Sequence, residues 1–372
     1  MNKILPSAFF IFILLSTQLF AQINIGDDLF EDDSTVTDCN HKSINLGYEN
    51  YGISFGNSEY HSGIRLNFSD CGIKEINGIN ITLWEPKKNP GSVINGMAFG
   101  LAPLASRIYG INIGIAASIT ERSMYGINFG GLALVSGGDI YGINVGGLAA
   151  VAENEISGIN IGGLALVSEN NIKGVNIGGL AVVAEKEIWG VSFSSLALVS
   201  ESGMKGINLS GLANVSEGSM MGINMAGLAL VSEESIQGMN FGGLALVGEK
   251  GIRGINIGGA AVVAEDGNIL GLSATLGKIF TYNDINGITV AGYKTEAENF
   301  HGINSAICWT ELGTLQGISI SGLNKINRQN GISIGLFNIA EILNGIQIGL
   351  INIADNNPVP FRILPFINMH ID

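Results

Sequence analysis

The stretch Gly158-Ile-Asn-Ile-Gly-Gly-Leu-Ala-Leu-Val-Ser-Glu-Asn-Asn-Ile-Lys173 decides how the chain is read, because it recurs. Its first glycine returns at 110, 126, 142, 158, 174, 190, 206, 222, 238 and 254, sixteen residues apart each time without an insertion. So regular a period marks a repeat architecture, in which one small unit packs on its own copies. The unit is strand material. Gly, Val, Ile, Asn and Ser alternate with period two, and a small pair at the centre (Gly162-Gly163, Ser194-Ser195, Ala226-Gly227) would weaken a helix. From Gly158 to Ser168 one face carries Ile159, Ile161, Gly163, Ala165 and Val167 and is apolar. The other carries Gly158, Asn160, Gly162, Leu164, Leu166 and Ser168 and is mixed.

Looser copies lie on both sides, at Gly63, Gly78 and Gly96 before the regular array (about 108–270) and at Gly287, Gly302, Gly317, Gly331 and Gly345 after it. With weaker copies near Leu46, Gly52, Gly271 and Phe361, the count reaches about 20 to 22 units, and residues 43–372 read as a single β-repeat domain. The connectors Ser200-Glu-Ser-Gly203, Gly248-Glu-Lys-Gly251 and Glu265-Asp-Gly-Asn268 place Gly or Asp-Gly where a turn needs positive φ.

Two all-β solutions fit this pattern. In an antiparallel meander each unit is one strand plus a turn, and some 20–22 strands close into an outer-membrane-type barrel that removes the sheet edges. In a β-solenoid each unit is one coil of 14–16 residues, and identical residues stack, with Asn at 112, 128, 144, 160, 176, 208, 224, 240 and 256 forming a ladder. Charge favours the meander. Glu recurs at 153, 169, 185, 201, 217, 233, 249 and 265, and a solenoid stacks these carboxylates about 4.8 Å apart, at a cost of roughly 0.9 kcal/mol per pair at bulk-water dielectric. A 32-residue superperiod agrees, with Leu134, Leu166, Leu198 and Leu230 alternating with Ala150, Val182, Asn214 and Leu246 as if up- and down-strands differed. The expected fold is therefore the barrel, with the solenoid as its alternative; the lining works against the barrel, since Leu164 and Leu166 accompany Asn160 and Ser168 where a wide lumen should be polar.

Composition narrows the function. Of 372 residues 54 are Gly and 46% are apolar, and the 32 acidic against 18 basic residues give a net charge of −14. That excludes a disordered chain and argues against a phosphate-neutralising nucleic-acid binder. Residues 1–21, with Lys3, the apolar run Phe9–Leu15 and the ending Leu19-Phe20-Ala21, read as a signal peptide cut after Ala21. Residues 22–42 form an acidic leader holding Asp27, Asp28, Glu31, Asp32, Asp33 and Asp38. An exported chain can carry a bridge, and Cys39 with Cys71 is the natural pair by proximity, with three free thiols (Cys308 the third) as the alternative.

The units Gly331-Ile-Ser-Ile-Gly-Leu-Phe-Asn-Ile-Ala340 and Gly345-Ile-Gln-Ile-Gly-Leu-Ile-Asn-Ile-Ala354, followed by Asn357-Pro-Val-Pro-Phe-Arg-Ile-Leu-Pro-Phe-Ile-Asn368, resemble the bacterial surface-repeat proteins of spirochaetes and Bacteroidota. The resemblance covers about residues 44–372 and implies an exported, surface or outer-membrane protein; it carries no activity with it. The central array departs from the pattern, with Asn in place of Gln and an extra Gly before Leu.

No catalytic, cofactor-binding or metal residues are assigned. The glycines lack a phosphate-binding spacing, the four His (His41, His61, His301, His370) lack close Cys or His partners, and no nucleophile set is spaced for catalysis. The Glu series is the best site candidate, a Ca²⁺-collecting row in a solenoid or a solvated rim in a meander, the rim being the simpler reading. The stripe Val135, Val151, Val167, Val183 and onward to Val263 has no polar exception, so it must meet lipid, another sheet or another subunit. The expected function is an exported surface or outer-membrane protein with a structural or passage role, non-catalytic, with outer-membrane lipid as partner; the alternative is a secreted solenoid serving as an adhesion or interaction module.

Overall fold

The computed structural model describes residues 39–371 except 85, 86 and 88. The signal peptide at 1–21 and the acidic leader up to residue 38 lie outside the described residues. The described chain contains strands and no helix, and it forms two compact units. One is built from residues up to Tyr125 with Val135–Gly138, the other from Gly126–Leu134 with Asp139 onward.

The first unit opens with an antiparallel hairpin of Ser43–Tyr48 on Tyr51–Gly56. From there every pairing is parallel: Tyr51–Gly56 with Tyr60–Asn67, then Glu75–Thr82, Val93–Gly100 and Leu104–Gly114, in a register that stacks Gly52, Gly63, Gly78, Gly96 and Gly110. Ile73, Ile76, Ile94, Ala98, Ala105 and Ile108 fill its core. Cys39 and Cys71 are bridged, with their Cα atoms 5.6 Å apart.

The second unit repeats one coil. A strand of eight residues (Glu155–Gly162) is followed by a bend at 163–164, a strand of four (Ala165–Ser168) and a second bend at 169–170. Each strand pairs in parallel with its own copy sixteen residues away, Gly158 on Gly142 and Gly174, Val167 on Val151 and Val183. The all-β repeat is therefore a β-solenoid, and the expected antiparallel barrel is corrected: the eleven-residue strand breaks into two, and neighbours run parallel. The last strand, Ile363–His370, returns antiparallel on the coil headed by Gly345. Pro365 lies where the register shifts, between the Gly349–Phe366 and Asn352–Leu364 pairs, a position at which a strand tolerates a residue without an N–H.

Three features explain why stacking wins over the repulsion of the Glu row. Gly158 has φ +118°, and a Cβ on it would lie 2.0 Å from the Gly142 carbonyl oxygen, so the periodic glycine is what lets coils approach in register. The buried asparagines form a chain: Asn128, Asn144 and Asn160 each donate Nδ2–H to the Oδ1 sixteen residues on, at 2.7, 2.7 and 2.8 Å. The Glu side chains meanwhile stand at the bend, where water and salt screen them.

The 32-residue superperiod has a different meaning from the one expected. Ala150, Leu166, Val182, Leu198, Asn214, Leu230 and Leu246 are register partners in one stack, all fully buried. The alternation is therefore one between neighbours inside a single buried stack and not between up- and down-strands, and it lapses where Leu230 pairs with Leu246.

Candidate interaction surface

The coil's interior is mixed, and part of its exterior is apolar. Ile156, Asn160, Leu166 and Ser168 point inward and are buried, whereas Ile159 and Leu164 point outward and are about half exposed, at 45% and 46%. The alternation read from the sequence holds along 156–162 and again along 166–168. The bend at 163–164 shifts its phase between them, so Leu164 goes out and Ala165 goes in.

Followed around one coil, the exterior divides in two. Outward positions from the residue after the periodic glycine to the valine nine places on are apolar or glycine, as with Ile159 and Ile161 on the long strand, Leu164 at the bend and Val167 on the short strand, with Ser195 as a polar exception. The rest is polar: the Glu169–Asn170 bend, the start of the next strand and the residue before the glycine. In the coils headed by Gly142 to Gly254 no charged residue enters the apolar arc. All charges between residues 139 and 270 lie in the polar arc; 13 are acidic and 5 basic, a net of −8. The Val stripe from Val151 to Val263 lies half-buried on this arc. The row from Leu148 to Leu244, which strict alternation would place on the mixed inner face, forms its exposed edge. The invariant Gly-Leu-Ala or Ser-Leu-Ala step at the bend was the signal for that edge.

The boundary residue just before the glycine is, coil by coil, Tyr141, Ser157, Lys173, Trp189, Lys205, Met221, Gln237 and Arg253. Lys205 Nζ lies 4.6 Å from the Trp189 ring centroid and 2.8 Å from Glu187 Oε1. The Lys205 hydrogen bond, opposed by burial and assisted by the Trp189 indole, holds the Glu187 carboxyl below its ordinary range.

Beyond the array the short-strand side of the arc turns charged, while Leu272, Ile288 and Ile303 keep the long-strand side apolar and exposed. The row of Val247 and Val263 continues as Phe280 and Glu296, and ion pairs take over: Lys278–Glu296 at 2.7 Å, Lys294–Glu296 at 2.8 Å, Lys294–Glu311 at 2.7 Å. Burial disfavours the charged forms of Lys294 and Glu296, but their mutual hydrogen bonds outweigh it, leaving Lys294 raised and Glu296 lowered.

The Glu row lies along the second bend, as a solenoid requires. Among the described residues no group of three or more His, Cys, Asp or Glu side chains is placed to hold a metal ion. Burial, then the neighbouring carboxylates, raise Glu201 and Glu233 above the usual range. The free cysteine, Cys308, is exposed.

One polar cluster was not anticipated. In the first unit Arg65 and Asp70 are fully buried as an ion pair. Arg65 also donates to Asn80 Oδ1 at 2.7 Å, Asn57 Oδ1 at 3.0 Å and Ser58 Oγ at 3.2 Å, while Asp70 accepts from Asn80 at 2.9 Å and Thr82 at 2.5 Å. Every partner comes from the chain itself, so the cluster reads as structural. No family model, curated protein or solved structure matches the chain.

Proposed function

We propose that the protein is an exported, non-catalytic solenoid that serves at the cell surface or outer membrane as a structural or interaction module, with the apolar arc as its working surface. The observation that carries this reading is the arc itself, which runs over eight successive coils without one charged residue in it, far more apolar surface than a soluble monomer leaves to water. The signal-like residues 1–21, the resemblance to bacterial surface-repeat proteins and the Cys39–Cys71 bridge, which suits an oxidising compartment, support export. A passage role has less to stand on, because the coil interior is filled by Ile156, Asn160 and Leu166.

Fractionation of the native host with an antiserum, combined with N-terminal sequencing of the recovered chain, tests the reading. The expected result is a chain beginning at Gln22 in the envelope fraction, cut by protease added to intact cells or to cells with a permeabilised outer layer. A chain with residues 1–21 intact in the cytoplasm overturns it.

A further inference from the structure

The apolar arc does not lie on one plane. It covers the outside of the long strand (Ile159, Ile161), turns through the bend at Leu164 and continues on the outside of the short strand (Val167). Inside the coil the two strands face each other, as where buried Asn214 on the short strand donates to the Asn208 carbonyl on the long strand at 3.1 Å. The arc therefore wraps an edge. A second copy presenting a flat sheet would cover one side and leave the leucine edge and the other side wet. A medium that flows around the edge covers all three.

Backbone chemistry points the same way. Apolar media tolerate no unpaired N–H or C=O, which ordinarily excludes bends from the hydrocarbon region. Here the bend is paired from coil to coil: Gly163 N–H donates to Gly146 O at 3.0 Å, Leu164 to Leu148 O at 2.6 Å, Gly179 to Gly162 O at 2.9 Å and Leu180 to Leu164 O at 2.7 Å. The Ser195 hydroxyl, the polar side chain at this edge, donates to the Gly179 carbonyl. Dimensions agree as well. Three residues of strand carry the chain from Ile159 to the bend after Gly162, about 10 Å at 3.3 Å each, which fits within a hydrocarbon half-thickness of about 15 Å. Five of the eight boundary positions, Tyr141, Lys173, Trp189, Lys205 and Arg253, carry side chains that combine an apolar body with a polar tip and settle at the lipid–water interface.

We propose that the arc of the coils from Gly142 to Val263 beds edge-first into the hydrocarbon of one bilayer leaflet of electrically neutral lipid, the Leu148-to-Leu244 row deepest and the Glu-bearing bend in water. The proposal rests on the arc being the working surface, and it adds the occupant. Neutral headgroups follow from the net −8 of the polar arc, which anionic lipid would repel.

Flotation of the purified full chain with phosphatidylcholine vesicles tests it. The parent floats, and substituting phosphatidylglycerol for half of the lipid lowers the bound fraction. Leu148→Glu, Leu180→Glu and Leu212→Glu, which sit on alternate coils and do not stack on one another, together reduce binding more than about tenfold, because each places a carboxylate in hydrocarbon. Their circular dichroism spectrum and unfolding midpoint remain those of the parent, because these positions are exposed. In a Cys308→Ser background, a polarity-sensitive fluorophore on Leu180→Cys shifts to the blue on adding vesicles, and the same label on Glu201→Cys does not. A parent chain that stays at the bottom of the gradient overturns the proposal. So does a label shift at both positions, or a parent that self-associates without lipid and is made monomeric by the three glutamates. None of these outcomes bears on export, which the fractionation experiment decides separately.

Discussion

The parallel strands of the first unit and the sixteen-residue coils of the second bury polar side chains in opposite ways. Around Arg65 the solution is charged and closed: one guanidinium and one carboxylate saturate each other and a ring of Asn, Ser and Thr. In the array it is neutral and open. Along the first run each Asn amide after Asn128 accepts one N–H from behind and gives one forward, and its second N–H reaches a backbone carbonyl, as Asn160 does with Lys173 O at 3.0 Å. A closed cluster satisfies itself once and cannot be copied coil by coil, whereas an open chain extends for as long as Asn is supplied at the same position. Interruption has a cost. The first run ends where Asn176 donates to Ser192 Oγ at 3.1 Å, and the run that restarts at Asn208 leaves its Oδ1 without a protein donor.

The largest effect is expected from opening the closed cluster. Arg65→Met leaves Asp70 buried without its counter-ion, a loss of about 3–5 kcal/mol, read as faster hydrogen exchange at the amides of Tyr60–Asn67 and Glu75–Thr82. Burial pushes the Asp70 carboxyl upward, but Arg65 and the hydrogen bonds from Thr82 and Asn67 overcome it and hold the group below its ordinary 3.8. Its contribution is therefore present above that value and lost as pH falls through the lower folded-state value. Exchange that is unchanged in Arg65→Met would remove the distinction between the two regions.

The open ladder should be softer. Asn160→Ala deprives Asn144 Nδ2 of one acceptor and Asn176 Oδ1 of its donor, at a cost of about 1–3 kcal/mol. Asn160→Ser should cost clearly less, because Ser192 and Ser273 already accept from the ladder at 3.1 and 3.3 Å. Denaturant unfolding of the two variants measures the gap, and equal losses would mean that the ladder's worth lies in packing.

Much of this fold was legible in the sequence, and the part that was not has an identifiable cause. Period, strand content and the inner and outer assignments of Ile159, Asn160 and Ile161 follow from alternation. The choice of parallel stacking does not. Repulsion along the Glu row can be read directly from its spacing, whereas the backbone and amide ladders that outweigh it exist only once coils are stacked. The same gap hid the Leu164 edge, since period-two alternation runs straight through a bend that nothing but a pair of small residues announces. Arg65 and Asp70 sit in a degenerate copy of the unit, five residues apart, and ordinary surface charges have that spacing as well.

The smallest effect concerns the carboxylates whose spacing argues for the barrel, and it should run opposite in pH to that of Asp70. Glu201 and Glu233 are raised, first by burial and then by Glu217, which neighbours both. Between the ordinary 4.5 and the raised value the folded chain holds more protons than the unfolded one, so their contribution to stability falls as pH rises through that window. The double variant Glu201→Gln, Glu233→Gln should therefore melt slightly above the parent at pH 7. The difference should close below the ordinary carboxylate range, where protonated Glu and Gln carry the same charge. High salt should shrink it, since both groups are exposed and screened. A difference that persists at low pH would mean that Gln gains by packing, and the stacked row of like charges would then cost the solenoid nothing measurable.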